Sequence, residues 1–104
     1  MGDAVSLALY VRTEVCRFRD GAVSLPSLVS RLEHVVCEAE RLEIADSERL
    51  ADAWERLEVY YALALGHQEG SVLRLWWSRR AGRALVAFES VAREVLETPD
   101  ASVS

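Results

Sequence analysis

Apolar residues recur every three to four positions along nearly the whole chain, which is the period of an amphipathic helix. Between Ala4 and Arg19, the residues Ala4, Leu7, Ala8, Val11, Val15 and Phe18 fall on one face. Asp3 is a suitable N-cap, and Gly21 supplies the left-handed residue that closes such a helix. A second stripe, Leu28, Leu32, Val35, Val36, Ala39 and Leu42, predicts a helix over 25–43. Ser24 caps it, and Pro26 sits in the first turn, where a missing N–H costs nothing. The third stripe, Leu50, Ala53, Trp54, Leu57, Tyr61, Ala64 and Leu65, starts after a cap at Asp46 or Ser47 and runs to about Gly66. Its second half, from Val59 onward, is apolar on every side. Residue types alone allow a strand there, but the helical period continues through it. The fourth helix follows Gly70-Ser71 and carries Leu73, Trp77, Ala84, Phe88, Val91 and Val95 inward to about Glu97, before Thr98-Pro99. Gly82 weakens it and predicts a kink or a late start between Ser78 and Gly82.

Four such segments with short connections predict an all-α, antiparallel, up-down four-helix bundle. With 104 residues the chain suits a single domain, 1–104, with an ordered core of about 4–97 and a tail over 98–104. No apolar run is long enough to cross a bilayer. Met1-Gly2-Asp3-Ala4 has no basic lead-in, so no signal peptide is expected. A cytoplasmic location is expected, with Cys16 and Cys37 as reduced thiols.

Charge divides the chain. The net charge is −5, and all twelve basic residues are Arg. Nine acids lie between Glu33 and Glu58 (Glu33, Glu38, Glu40, Glu43, Asp46, Glu48, Asp52, Glu55, Glu58), against three Arg. Between Ser71 and Phe88 there are four Arg (Arg74, Arg79, Arg80, Arg83) and no acid. Helices two and three are therefore expected to present a negative surface, and the first half of helix four a positive one. The bland account is solubility with pairing between neighbouring helices. The sharper account is a negative surface that attracts a basic partner. The acidic balance disfavours nucleic acid as a partner.

Chemistry is sparse. Cys37 lies nearly opposite the buried stripe of its helix, one turn from His34, and a thiol near an imidazole and Arg41 is a candidate nucleophile. A helix face supplies no oxyanion donor or substrate pocket, so an incidental thiol or a partner contact is the simpler reading. Bundle metal centres use Glu-x-x-His pairs, but Arg31 precedes His34 by three positions and Ala64 precedes His67. No acid falls on a predicted core stripe. No metal site and no cofactor are expected, and the phosphate-loop, nucleophile-elbow and zinc-protease motifs are absent. His67 is expected in the last connection, capping a helix end.

The stretch Phe18-Arg19-Asp20-Gly21-Ala22-Val23-Ser24-Leu25-Pro26-Ser27-Leu28 resembles small bacterial immunity proteins of the colicin D type. There one helix ends at an aromatic and a Gly, and a β-branched residue with Ser or Thr opens the next. The resemblance covers helices one and two, and the Arg-rich start of helix four departs from it. It implies a protein that masks a nuclease toxin through acidic groups facing the toxin's basic surface. The leading expectation is a non-catalytic inhibitor that meets a basic toxin or other basic protein through Glu38, Glu48, Asp52 and Glu55, with Val59 and Leu63 as apolar contact. Those residues are read from charge and spacing, not transferred from the family. A possible second interface is Leu75, Trp76, Arg79 and Arg83, and the alternative is a homodimeric structural or adaptor bundle pairing there.

Overall fold

The computed structural model describes residues 3–97. Its helices are α1, Ala4–Arg19; α2, Leu25–Arg41; α3, Ser47–Leu65; and α4, Val72–Ala92, which runs on as a π-helical turn, Arg93–Glu97. Among the described residues there is no strand, and the segment from Val59 is helical to Leu65. The expected end at Thr98-Pro99 and the tail over 98–104 lie outside the described residues.

Three of the four starts are capped as their sequences predict. The Ser6 N–H donates to Asp3 Oδ1 at 2.8 Å, Ser27 N–H to Ser24 Oγ at 3.3 Å, and Arg74 N–H to Ser71 Oγ at 3.0 Å. Each bond satisfies a donor that the helix leaves open. The α2–α3 link is different. The α2 helix stops at Arg41, short of the expected 43, because Glu43 takes a left-handed φ of 56°. Asp46, at φ 64°, makes no side-chain cap bond. Two left-handed residues outside glycine turn the chain sharply, at a cost of roughly 1–2 kcal/mol each. The α4 helix passes through Gly82 without a break, and its irregularity falls at Arg93–Glu97 instead. Gly82 faces solvent, where a Cβ would meet nothing within 4 Å, so no packing contact bends the helix there.

The stripes meet in one core. Val15, Leu28, Leu32, Val35, Leu50, Leu57 and Phe88 are its largest enclosed side chains, and Val29, Ala81, Leu85, Ala92 and Leu96 join them. Neighbours run antiparallel. Arg12 pairs with Glu97 and Arg19 with Glu89, setting α1 against the last turns of α4. Arg49, at the start of α3, reaches Glu94. The Trp54 indole N–H donates to the Val29 carbonyl at 2.8 Å, tying α3 to the second turn of α2. This register places the α1–α2 hairpin against the first half of α3 and the last half of α4. Between Leu57 and Ala81 the one buried residue is Ala64, with Tyr60 and Tyr61 partly buried against the core. The outer half of the α3–α4 hairpin projects past it, and the molecule measures 51 × 24 × 22 Å. Leu65 and Leu73, expected inside, are therefore 51% and 54% exposed. They face the right way on their own helices, but no third helix reaches them.

One acid does enter the core. Glu14, only 5% exposed, lies where the α1 stripe meets α2. Its carboxylate accepts from Arg31 of α2 and from Arg17 at 3.2 Å, so a buried charge is neutralised by two guanidinium groups. The Arg31 hydrogen bond is the main force holding its pKa below the ordinary glutamate value.

Leu57→Ala is expected to cost roughly 2–5 kcal/mol in denaturant unfolding, and Leu65→Ala less than about 1 kcal/mol. Because the folded-state pKa of Glu14 is depressed, its contribution is complete above the unfolded value of about 4.3 and is lost as pH falls through the folded value. Glu14→Gln should therefore flatten the loss of stability below about pH 4.5. Unchanged acid titrations of melting temperature would show that this ion pair carries no such weight.

Candidate functional site

Along the first half of α3 and the last half of α4, a side lined by no residue of α1 or α2 forms a groove of about 420 Å³. Helical spacing builds it. Arg49, Asp52, Arg56 and Tyr60 recur at three- and four-residue steps on α3, and Arg80 and Arg83 rise from α4 opposite them. The floor is Ala53, Ala84, Ala87 and Val91, small enough to keep the groove shallow and apolar. Arg49 is held by Glu94, but Arg56, Arg80 and Arg83 have no ion-pair partner among the described residues.

An aromatic chain closes the outer end. Tyr60 stacks on Trp77 with ring centres 5.9 Å apart, and Trp76 meets Trp77 edge-on at 4.5 Å. The guanidinium carbon of Arg80 lies 4.1 Å from the centre of the Trp76 ring. This cation–π contact fixes the long side chain in one place. The Arg80 Nε is buried with no hydrogen-bond partner, an unusual state for a charged group. Beyond the groove, Leu63, Leu73 and Trp76 stand open to solvent, Trp76 at 45%.

The residues expected to bind a partner do not form one patch. Asp52 and Arg83 line the groove. Glu55 and Val59 border a shallow hollow beside it, with Arg56 and Tyr60. Glu38 lies elsewhere, in a hollow between α1 and α2 with Tyr10 and His34, where Arg41 binds it at 2.8 Å and lowers its pKa. It is separated from the others because α2 turns that face away from α3. Glu48, Leu75 and Arg79 are exposed. Arg49, Arg56, Tyr60 and Arg80 were missed as site residues. Their spacing was visible, but which side of α3 and α4 stays uncovered was not.

Pairing between neighbouring helices is found at Arg31–Glu14, Arg19–Glu89 and Arg49–Glu94, but not at the arginines that open α4. No ion pair among the described residues joins Arg74, Arg79, Arg80 or Arg83 to an acid of α2 or α3. The basic half of α4 stands beyond the reach of α2, and Arg74 turns back to the His67 carbonyl at 3.3 Å. His67 lies in the last connection, as expected, but it meets α3 through its backbone N–H, which donates to the Ala64 carbonyl at 3.2 Å, and not through its ring.

Cys16 and Cys37 are free and exposed. Cys37 makes no hydrogen bond with His34, and it lines neither the α3–α4 groove nor the hollow that holds His34. No three His, Cys, Asp or Glu side chains among the described residues converge as metal ligands would. No described helix is long and apolar enough to cross a membrane.

Comparison with protein-family models, curated proteins and solved structures gives no match to this chain. The functional reading therefore rests on the geometry above.

Both thiols should react with an aromatic disulfide reagent in the native protein, as fast as exposure allows and without prior unfolding. Labelling of Cys37 that waits for denaturant would place it under cover.

Proposed function

We propose that the chain is a non-catalytic, cytoplasmic binding protein that docks a protein partner on the open side of the α3–α4 hairpin. The observation that carries this reading is the hairpin's outer half. Past Leu57 it buries only Ala64 fully and holds Val59, Leu63, Leu73 and Trp76 in the open. Exposed apolar residues gathered with tryptophan and arginine have the composition of an interface centre. The polar lining of the groove is four guanidinium groups, one carboxylate and the Tyr60 hydroxyl. Such a set suits holding a partner better than transferring protons near neutral pH.

The acids support a more specific form. Of the nine from Glu33 to Glu58, only Glu38 is in an ion pair among the described residues. Glu48, Asp52 and Glu55 remain solvated along one edge of α3, next to Val59. An unpaired acidic edge raises the association rate of a basic protein. This fits an immunity-type role, in which a toxin's basic surface is masked, and agrees with the resemblance over 18–28. A homodimer through Leu75 and Trp76, both exposed on α4, is the competing form.

The test is affinity capture from the native lysate, followed by titration of the purified pair. Leu63→Asp or Trp76→Ala should weaken the pair by about tenfold or more, while Ser30→Asp on the far face of α2 leaves it unchanged. Asp52→Arg with Glu55→Arg should slow association at low salt and have little effect at high salt. Full affinity in both hairpin variants would remove this face from the interface.

A further inference from the structure

On the reading that the open side of the hairpin docks a protein, we propose that its groove takes one acidic, amphipathic helix. The shape comes first. From Arg49 to Tyr60 the groove runs along α3 for roughly 17 Å, about three helical turns. Two antiparallel helices form its walls, and Ala53, Ala84 and Ala87 keep its floor low. A third helix can therefore approach at ordinary helix-packing distance and lay an apolar stripe on alanine and valine. Beyond the groove's outer end, Leu63 and Trp76 are exposed and could meet further turns of such a ligand.

Charge then selects the ligand's edges. Asp52 is the one acid in the lining, against four arginines, of which only Arg49 is in an ion pair among the described residues. Arg56, from α3, and Arg80 and Arg83, from α4, offer planar forks that match carboxylates. Arg80 is already anchored over Trp76, with its Nε unbonded, so little side-chain freedom is lost when a carboxylate arrives. A basic helix would meet like charge along both walls. Nucleic acid would meet Asp52 within the groove, the acidic edge at Glu48 and Glu55, and a chain of net charge −5. The groove thus has the opposite sign to the acidic edge of α3 beside it, and its apolar floor distinguishes it from a merely solvated charge.

The experiment uses the full chain and two labelled synthetic helices of about eighteen residues. Both carry leucine at helical spacing; one flanks the stripe with glutamate and the other with lysine. Fluorescence anisotropy should give tighter binding of the glutamate helix by about tenfold or more at low salt, with the difference shrinking at high salt. Arg80→Glu with Arg83→Glu should invert the preference while circular dichroism keeps the helical signal. Equal binding of the two helices, or no binding of the glutamate helix at high micromolar concentration, would overturn the proposal without touching the hairpin's role in capturing a lysate partner. Competition by single-stranded nucleic acid at equal charge would also overturn it. So would self-association of the wild type that the double reversal abolishes, which would give the groove to a second copy. Failure of the proposed function reads out differently, as a captured partner indifferent to Leu63→Asp and Trp76→Ala.

Discussion

A hydrophobic core can extend only as far as all its helices run side by side, and here they do not run the same length. The α1–α2 hairpin is anchored by Arg12–Glu97 and Arg19–Glu89 on one side and by the Trp54 indole on the other. Those contacts hold it at one end of the longer α3–α4 hairpin. The large enclosed side chains accordingly stop at Leu57 on α3, past which only the small Ala64 is buried, and burial resumes at Ala81 on α4. Past that boundary the two long helices have only each other. Leu63, Leu65, Leu73 and Trp76 stay exposed there, and burial at about 25 cal/mol per Å² stands ready for another molecule.

The same offset explains the charge. Acids on α2 and α3 and arginines on α4 would cancel if the four helices were fully overlaid. Instead Arg74, Arg79 and Arg80 precede Ala81 on the outer half, and among the described residues none of them, nor Arg83, is in an ion pair; Arg74 meets a backbone carbonyl and Arg80 an aromatic face. Charges within the overlaid region behave differently. Glu14 and Arg31 lock α1 to α2, and Glu89, Glu94 and Glu97 receive arginines from α1 and α3. Ion pairs thus fasten the packed half and leave the projecting half free for recognition. A two-helix projection with unpaired guanidinium groups and open tryptophan is a costly surface for a chain that meets no other protein, since exposed apolar patches favour association.

Much of the fold was legible in the residues because capping and periodicity are local. Asp3, Ser24 and Ser71 donate no backbone geometry of their own; they mark where helical N–H groups need an acceptor, and each is found doing that. Gly21, at φ 82°, closes α1 for an equally local reason. Asp46 misled because its neighbour Glu43 also turned left-handed, and the link between α2 and α3 is shaped by both. Glu14 misled because polarity placed it outside, whereas Arg31, seventeen positions later, makes its burial tolerable. The site was less legible. Asp52 and Arg83 were recognised from charge, yet that they share a groove with Arg56, Tyr60 and Arg80 follows from the packing of two helices.

The amino-acid order by itself determined four amphipathic helices, three of their capped starts, the acidic middle and the arginine-rich opening of the last helix. Those are properties of neighbours within a turn or two, where hydrogen bonding and side-chain direction act at short range. Tertiary structure alone decided that Leu65 and Leu73 stay outside, that Glu14 goes in, and that the open side of α3 and α4 is lined by arginine. Periodicity reports the direction in which a side chain points around its own axis. Whether anything stands there to cover it depends on the lengths and register of segments far apart in the chain.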